Sequence, residues 1–276
     1  MSRPSGPRPP ASAAKPLRRP RGVEVEDLPW LPQWLRGYLT DFLHALFDAS
    51  VHRSRVAARL GELLERTGER RIVDLCSGSG GGLPAVRRGL EEDLGRPVTV
   101  VLTDKYPNLE AFRARAGDEP DRVSYVTESV DATDVPADLD GVRTLFSAFH
   151  HFPPEQAAGI LRDAARARRG IAIFEVSERH PATFGAMLVM PWLVWLGTPF
   201  LRPFQWRRLA FTYGLPLVPL LVFWDGVVSC WRTYSTGELR RLADSVDVPG
   251  YRFEVGRDRV RGLPATTTYL IGYPTP

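Results

Sequence analysis

Three stretches of this 276-residue chain carry residue types that could do chemistry. The first is Asp74-Leu-Cys-Ser-Gly-Ser-Gly-Gly-Gly82, an acid followed by four glycines within five positions. Glycines this dense suit a loop whose backbone turns sharply and approaches a ligand closely; otherwise they only weaken the fold. The second is Asp104, at the end of the apolar run 98–103, where a carboxylate can accept hydrogen bonds from both hydroxyls of a ribose. The third is Phe149-His150-His151-Phe152-Pro153, with Glu175 further on. Imidazole titrates near neutrality, which suits proton abstraction. These residues allow a nucleotide-type cofactor and a transfer reaction beside it.

Such residues need a frame to hold them. Ile72, Val73 and Leu75 form an apolar run into the glycines, and a helical pattern occupies 83–94. Strand, glycine loop and helix are the entry to a cofactor site in an open α/β sheet. Further apolar, β-branched runs predict strands at 98–103, at 123–126, within 141–154 and at 170–176. A helix over 235–245 precedes two late strands near 251–255 and 267–271. From 24 to about 67 the pattern is helical, with Leu35, Leu39, Phe42, Leu43, Leu46 and Phe47 at three- and four-residue spacing and a second run over 56–64. Those leading helices either close over the cofactor site or simply pack on the sheet.

An acid after the second strand serves NAD and S-adenosylmethionine alike, so the glycine spacing must discriminate. The dinucleotide fingerprint is G-x-G-x-x-G. Here Gly78-Ser79-Gly80 is followed by Leu83 where the third glycine should stand. In a D-x-G-x-G-x-G reading, Asp74 leads, Cys76 takes the first glycine slot, and Gly78 and Gly80 fill the next two. That pattern suits a zwitterionic methionine moiety better than a pyrophosphate.

Taken together, residues 74–82, Asp104, Asp131 and 149–153 resemble a class I S-adenosylmethionine-dependent methyltransferase of the small-molecule type, over about 70–180. Cys76 departs from the family's usual glycine, and the Asn/Asp-Pro-Pro-Tyr motif of enzymes that methylate nucleic-acid amino groups is absent. The resemblance implies an α/β fold: a Rossmann-like, seven-stranded, mostly parallel sheet with helices on both faces, here with a helical hydrophobic cap insertion. It implies S-adenosyl-L-methionine as cofactor, with Asp74, Cys76, Ser77, Gly78 and Gly80 at the methionine part. Asp104 would serve the ribose and Asp131 the adenine, with Lys105 and Ala132 beside them in the cofactor-binding set. Phe149 or His150 would stand near the sulfonium.

Competing readings accompany several of these positions. Asp104 also reads as the N-cap of a helix over 106–116, and Asp131 as a turn residue beside Pro136. For a catalytic base the candidates are His150, His151 and Glu175. Adjacent side chains diverge, so only one of the two histidines should face the site. The alternative is that these residues orient the cofactor or cap the helix starting near Pro153. Asp225 and Tyr234 are further candidates for substrate contact. The five histidines show no ligand spacing and the two cysteines no metal motif, so no metal is expected.

The net charge of +4 belongs to one end of the chain. Residues 1–21 hold six basic side chains and no acid; the remaining 30 basic and 32 acidic residues leave a formal −2. A Pro/Ala/Arg-rich tail of this kind reads as a disordered electrostatic arm. It lacks the apolar core of a secretory signal. With a near-neutral folded part, no nucleic acid is expected. Cys76 inside the glycine motif favours a reduced, cytoplasmic chain.

The second unusual region is an insertion. Residues 181–201 and 209–224 carry no charge, and between them lies Arg202-Pro-Phe-Gln-Trp-Arg-Arg208. Five of the seven tryptophans fall in the insertion (Trp192, Trp195, Trp206, Trp224, Trp231), and such rings favour apolar–polar boundaries. The first run is long enough to span a bilayer. However, both flanks belong to one sheet, and Pro191, Pro199, Pro216 and Pro219 interrupt the runs. Three readings follow: the core of a cap, the lining of an apolar substrate tunnel, or a peripheral membrane-surface contact through 181–224, with Arg202, Arg207 and Arg208 against anionic headgroups.

The expected organisation is a tail at 1–22, leading helices at 23–70, a cofactor-binding core at 71–180, a Trp-rich cap at 181–234 and a closing helix and hairpin at 235–276. The expected activity is methyl transfer to an apolar small-molecule or lipid-like acceptor. The alternatives are an NAD(P)-dependent oxidoreductase on a similar sheet and a non-catalytic membrane-surface or protein-binding module.

Overall fold

The computed structural model describes residues 22–48, 52–80, 83–202, 204–259 and 266–275. The basic tail, Gly81 and Gly82 lie outside the described residues. The strands are β1 (Arg71–Asp74), β2 (Thr99–Leu102), β3 (Val123–Tyr125), β4 (Val142–Phe146), β5 (Ile171–Glu175), β6 (Tyr251–Arg259) and β7 (Thr266–Pro274). They form one sheet in the order β3-β2-β1-β4-β5-β7-β6. The first five pair in parallel, and β7 runs antiparallel to both β5 and β6. The order reverses between β1 and β4, and ligands bind outside the carboxyl ends of the strands at such a switch point.

The helices are α1 (Gln33–Asp48), α2 (His52–Thr67), α3 (Leu83–Leu94), α4 (Leu109–Asp118), α5 (Pro154–Arg166), α6 (Pro181–Met187), α7 (Met190–Gly197), α8 (Trp206–Leu209), α9 (Leu217–Arg232) and α10 (Thr236–Asp244). Strand residues alternate between two faces, and both faces are covered. Val73, Val101, Leu145 and Ile173 pack with Ile160 and Leu161 of α5 and Leu239 and Leu242 of α10. Ile72, Val100, Ala172 and Phe174 pack with Leu60 and Leu64 of α2, Val86 and Leu90 of α3 and Phe112 of α4. Two-sided burial explains why the parallel strands read as continuous apolar runs.

Local chemistry sets the element ends. Pro154 opens α5 at a position whose amide would have no helical partner. Ser235 and Glu238 close a capping box on α10. Two expectations fail. The helix expected from 106 starts at Leu109, with Asn108 as its cap accepting from the Ala111 amide. The helical pattern expected from 24 begins only at Gln33, because Pro29 and Pro32 interrupt it and leave a 3₁₀ turn over Val25–Asp27.

The insertion folds as α6 to α9, with a π turn over Ala210–Gly214 between α8 and α9. Val194, Val218 and Val222 pack on Leu31, Leu35, Tyr38, Leu39 and Phe42, so α1 joins the cap to the sheet. Much of the cap's apolar surface faces outward. The helical stretch Pro181–Phe200 has a mean hydropathy of 1.3, yet only 11% of it is buried. All five cap tryptophans are between 44% and 76% exposed. Arg208 departs from the expected headgroup role: it is buried, donates to Asp41 at 2.9 Å and lies over the Tyr38 ring. Arg202 and Arg207 remain exposed.

Candidate active site

Backbone conformation explains the alternate spacing in the glycine loop. Cys76, Gly78 and Gly80 all adopt the left-handed region, with φ of 61°, 57° and 76°. Glycine enters that region without the steric cost other residues carry; Cys76 sits there at a cost of about 1–2 kcal/mol. A Cβ on Gly80 would stand 3.0 Å from Arg115 Cγ and 3.2 Å from Leu102 Cδ1, whereas one on Gly78 would meet only Thr40 Cγ2 at 3.9 Å. Asp74 holds the loop from beneath. Its buried carboxylate accepts from Ser77 Oγ and from Thr144 Oγ1 on β4, each at 2.8 Å. Burial pushes this carboxyl up to about 7, against the two hydroxyls. Above the loop, Thr40 of α1 shares a 2.5 Å hydrogen bond with Ser79.

Asp104 does not cap α4. One of its oxygens accepts from the Gly78 amide at 2.9 Å and the other from the Tyr106 amide at 2.8 Å, tying the end of β2 to the glycine loop. Each oxygen keeps a lone pair for a further donor. The 129–134 segment lies alongside, through Val130 N–H to the Asp104 carbonyl (3.0 Å) and Ser129 Oγ to the Lys105 carbonyl (2.8 Å). Asp131 accepts from Lys105 Nζ at 2.8 Å, from the Thr133 amide at 2.9 Å and from its hydroxyl at 2.7 Å. The Lys105 contact, then Thr133, brings this carboxyl down to about 2. Asp131 is thus a turn-forming residue beside the end of β2, with Ala132 buried next to it. The fold therefore gathers Asp74, residues 76–80, Asp104, Lys105 and Asp131 at one carboxyl edge.

The histidine stretch departs further from expectation. Phe149 is fully buried and packs 5.5 Å from the Tyr234 ring, so it serves the core rather than facing a ligand. Tyr234 is buried with it and donates to the Phe152 carbonyl at 2.8 Å, which removes it as a substrate contact. His150 and His151 do not diverge. They lie on a 3₁₀ turn, whose 120° step lets two long side chains swing to one partner, and their rings stand 4.4 Å apart. His150 Nδ1 pairs with Glu175 Oε2 at 2.7 Å, and Glu175 also accepts the His150 amide at 3.0 Å. Burial opposes protonation of His150, but Glu175 and Glu24 outweigh it and raise the imidazole to about 10. Glu175 orients the His150 ring, and an imidazole raised in this way is a poorer proton acceptor near neutral pH than a free one. His151 Nδ1 pairs with Asp27 at 2.7 Å.

Several residues here escaped sequence reasoning. Glu24 is completely buried, and Arg232 lies 3.2 Å from it while bonding Asp27 and the His151 carbonyl. Asp225 accepts the amides of Val25 at 2.6 Å and Glu26 at 3.2 Å, so it anchors the N-terminal turn rather than a substrate. Burial pushes Asp225 up to about 7. Ser147, at the end of β4, holds a φ of 46°. Glu24, His150 and His151 each bring one donor atom within 4.8 Å of the others, a juxtaposition that the spacing of the histidines in the sequence does not show. Glu24 lies more than 120 residues from His150, so no local spacing announces it.

No family model matches the chain, and no curated protein matches it. Among solved structures, the CMeT domain of citrinin polyketide synthase aligns with a TM-score of 0.51 at 14% identity, covering 83% of this chain and 54% of that one. The chain has the class I methyltransferase fold. Mitomycin 7-O-methyltransferase aligns at 17% identity with a TM-score of 0.47, covering 84% of this chain and 57% of that one. Magnesium protoporphyrin IX methyltransferase from Synechocystis PCC 6803 aligns at 12% identity with a TM-score of 0.42, covering 81% and 84%. The chain spans little more than half the length of the first two. Within the methyltransferase fold, the glycine loop and Asp104 occupy the β1 and β2 ends beside the switch point.

Proposed function

We propose that this chain transfers a methyl group from S-adenosylmethionine to an apolar, lipid-like acceptor met at a membrane surface. The observation that carries the first half is the loop at 74–80. Three alternate positions are left-handed, an acid leads them, and a second acid crosses from β2 to the Gly78 amide. These residues fit the cofactor: Gly78 leaves open the space a Cβ would fill, and Asp104 keeps acceptor capacity for ribose hydroxyls. When bound, the cofactor supplies an electrophilic methyl group on a sulfonium that carries its own leaving group. The chain then has to bind, align and exclude water. Helix α1, locked to the loop through Thr40 and Ser79, is placed to do the last of these. The nicotinamide alternative needs a third glycine where Leu83 is instead packed into the core.

The observation that supports an apolar acceptor is the outward face of the cap. Leu188, Trp192, Leu196, Phe200 and Trp206 are each more than 60% exposed, at the cost of about 1.5–3 kcal/mol per large side chain left in water. Large exposed apolar patches mark interaction surfaces. Exposed Arg202 and Arg207 flank Phe204 and Trp206, each adding about 1 kcal/mol against anionic headgroups. Incubation of the full chain with methyl-labelled S-adenosylmethionine and a membrane lipid extract tests the proposal. Label should enter the organic phase, and Asp104→Ala should abolish it. Label confined to water-soluble acceptors would contradict the apolar half while sparing the methyltransferase half.

A further inference from the structure

We propose that Glu24, His150 and His151 form a binding site for a divalent transition-metal ion, between the carboxyl ends of β4 and β5 and the N-terminal turn. One donor atom from each lies within 4.8 Å of the others. His150 Nε2 stands 3.6 Å from Glu24 Oε1, and His151 Nε2 stands 3.5 Å from Glu24 Oε2. Donors bound at about 2.0–2.1 Å in a tetrahedral shell lie about 3.3 Å apart. The observed spacings are near that value and longer than a good hydrogen bond. Neither Glu24 oxygen accepts a hydrogen bond, although the residue is completely buried. The charge of this buried carboxylate is met by Arg232 at 3.2 Å and by the two imidazoles, and its oxygens keep acceptor capacity for an ion between the two Nε2 atoms.

The surrounding contacts match what metal-bound histidines require. A ligating histidine generally gives its other ring nitrogen to a carboxylate, which fixes tautomer and orientation. Here His150 Nδ1 is held by Glu175 and His151 Nδ1 by Asp27, each at 2.7 Å. Both Nε2 atoms are thereby directed at Glu24. Charge points the same way. Glu24 and Asp27 pair with Arg232, while Glu24, Glu26, Asp27 and Glu175 surround the two imidazoles, whose Nε2 protons a bound cation would displace. Arg232 also bonds Asp27 and the His151 carbonyl, so those contacts can hold it when an ion takes Glu24. Two imidazoles and one carboxylate suit zinc and its first-row neighbours and leave a coordination position open.

The test uses the untagged full chain, stripped with a chelator and titrated with Co²⁺ alone, read by visible d–d absorption. The proposal expects bands that saturate at one ion per chain and bleach when Zn²⁺ is added. Glu24→Gln should abolish them. Asp27→Asn, which removes only the partner of His151 Nδ1, should weaken binding by about 10- to 100-fold. If Glu24→Gln does not fold, His151→Ala, at a partly exposed position, carries the same expectation. No bands from the folded wild type at saturating Co²⁺, or bands unchanged in the folded variants, would overturn the site and leave an ion-pair network.

Discussion

The carboxyl edge of the sheet and the cap are built from the same apolar residue types, placed in opposite ways. In the sheet, Ile72, Val73, Val100 and Leu145 are fully buried; in the cap, Phe200 is 80% exposed and Trp206 76%. At the sheet edge almost every carboxylate is committed: Asp74 to two hydroxyls, Asp104 to two amides, Glu175 to His150. The cap's outer face has aromatic rings and two exposed arginines. The difference separates hydrophobicity that makes the fold from hydrophobicity that is left over for a partner. Helix α1 belongs to both, with Tyr38 and Leu39 in the cap's core and Thr40 on the glycine loop.

The comparison breaks most readily at Phe149. If it is core, Phe149→Ala should lower stability by about 3–5 kcal/mol in chemical denaturation; a small loss would return it to the ligand site. Next is Asp74, whose folded pKa of about 7 lies above its ordinary 3.8. The folded state holds a proton that the unfolded chain releases in this interval. Its contribution to stability is therefore present below pH 4 and falls as pH rises to about 7, by on the order of a few kcal/mol. Asp74→Asn should flatten that slope in part, because Asp225 titrates in the same window. A slope identical to wild type would mean that Asp74 is not the buried group described.

Gly80→Ala comes third. The left-handed backbone costs about 1–2 kcal/mol, and contact with Leu102 adds to it. Gly78→Ala carries the strain without the clash, so it should destabilise less; the reverse order in thermal denaturation would contradict the loop geometry. The smallest effect on stability sharpens the contrast most. Trp206→Ser should change stability by no more than about 0.5 kcal/mol, yet reduce co-sedimentation with anionic vesicles. A core-sized loss of stability would make the cap an ordinary core.

Much of the sheet was legible because its signals are local. Apolar runs gave the five parallel strands, and the 83–94 pattern matches Leu83–Leu94 of α3. The alternate spacing at 76, 78 and 80 is itself a record of backbone conformation. What could not be read depends on tertiary placement. Nothing near His150 announces Glu24, which the fold delivers from the N-terminal turn anchored by Asp225. Arg208 reads like its neighbour Arg207, and only the position of Asp41 on α1 turns it inward. Phe149 reads as a neighbour of the sulfonium because the 3₁₀ turn that rotates it into the core is invisible in composition.

The central claim is that the loop at 74–80, with Asp104, is a cofactor site. Calorimetric titration of S-adenosylhomocysteine into the full chain tests it most directly. The account predicts saturable binding of one molecule per chain, lost or strongly weakened in Asp104→Ala. Absence of binding to the folded wild type would contradict it.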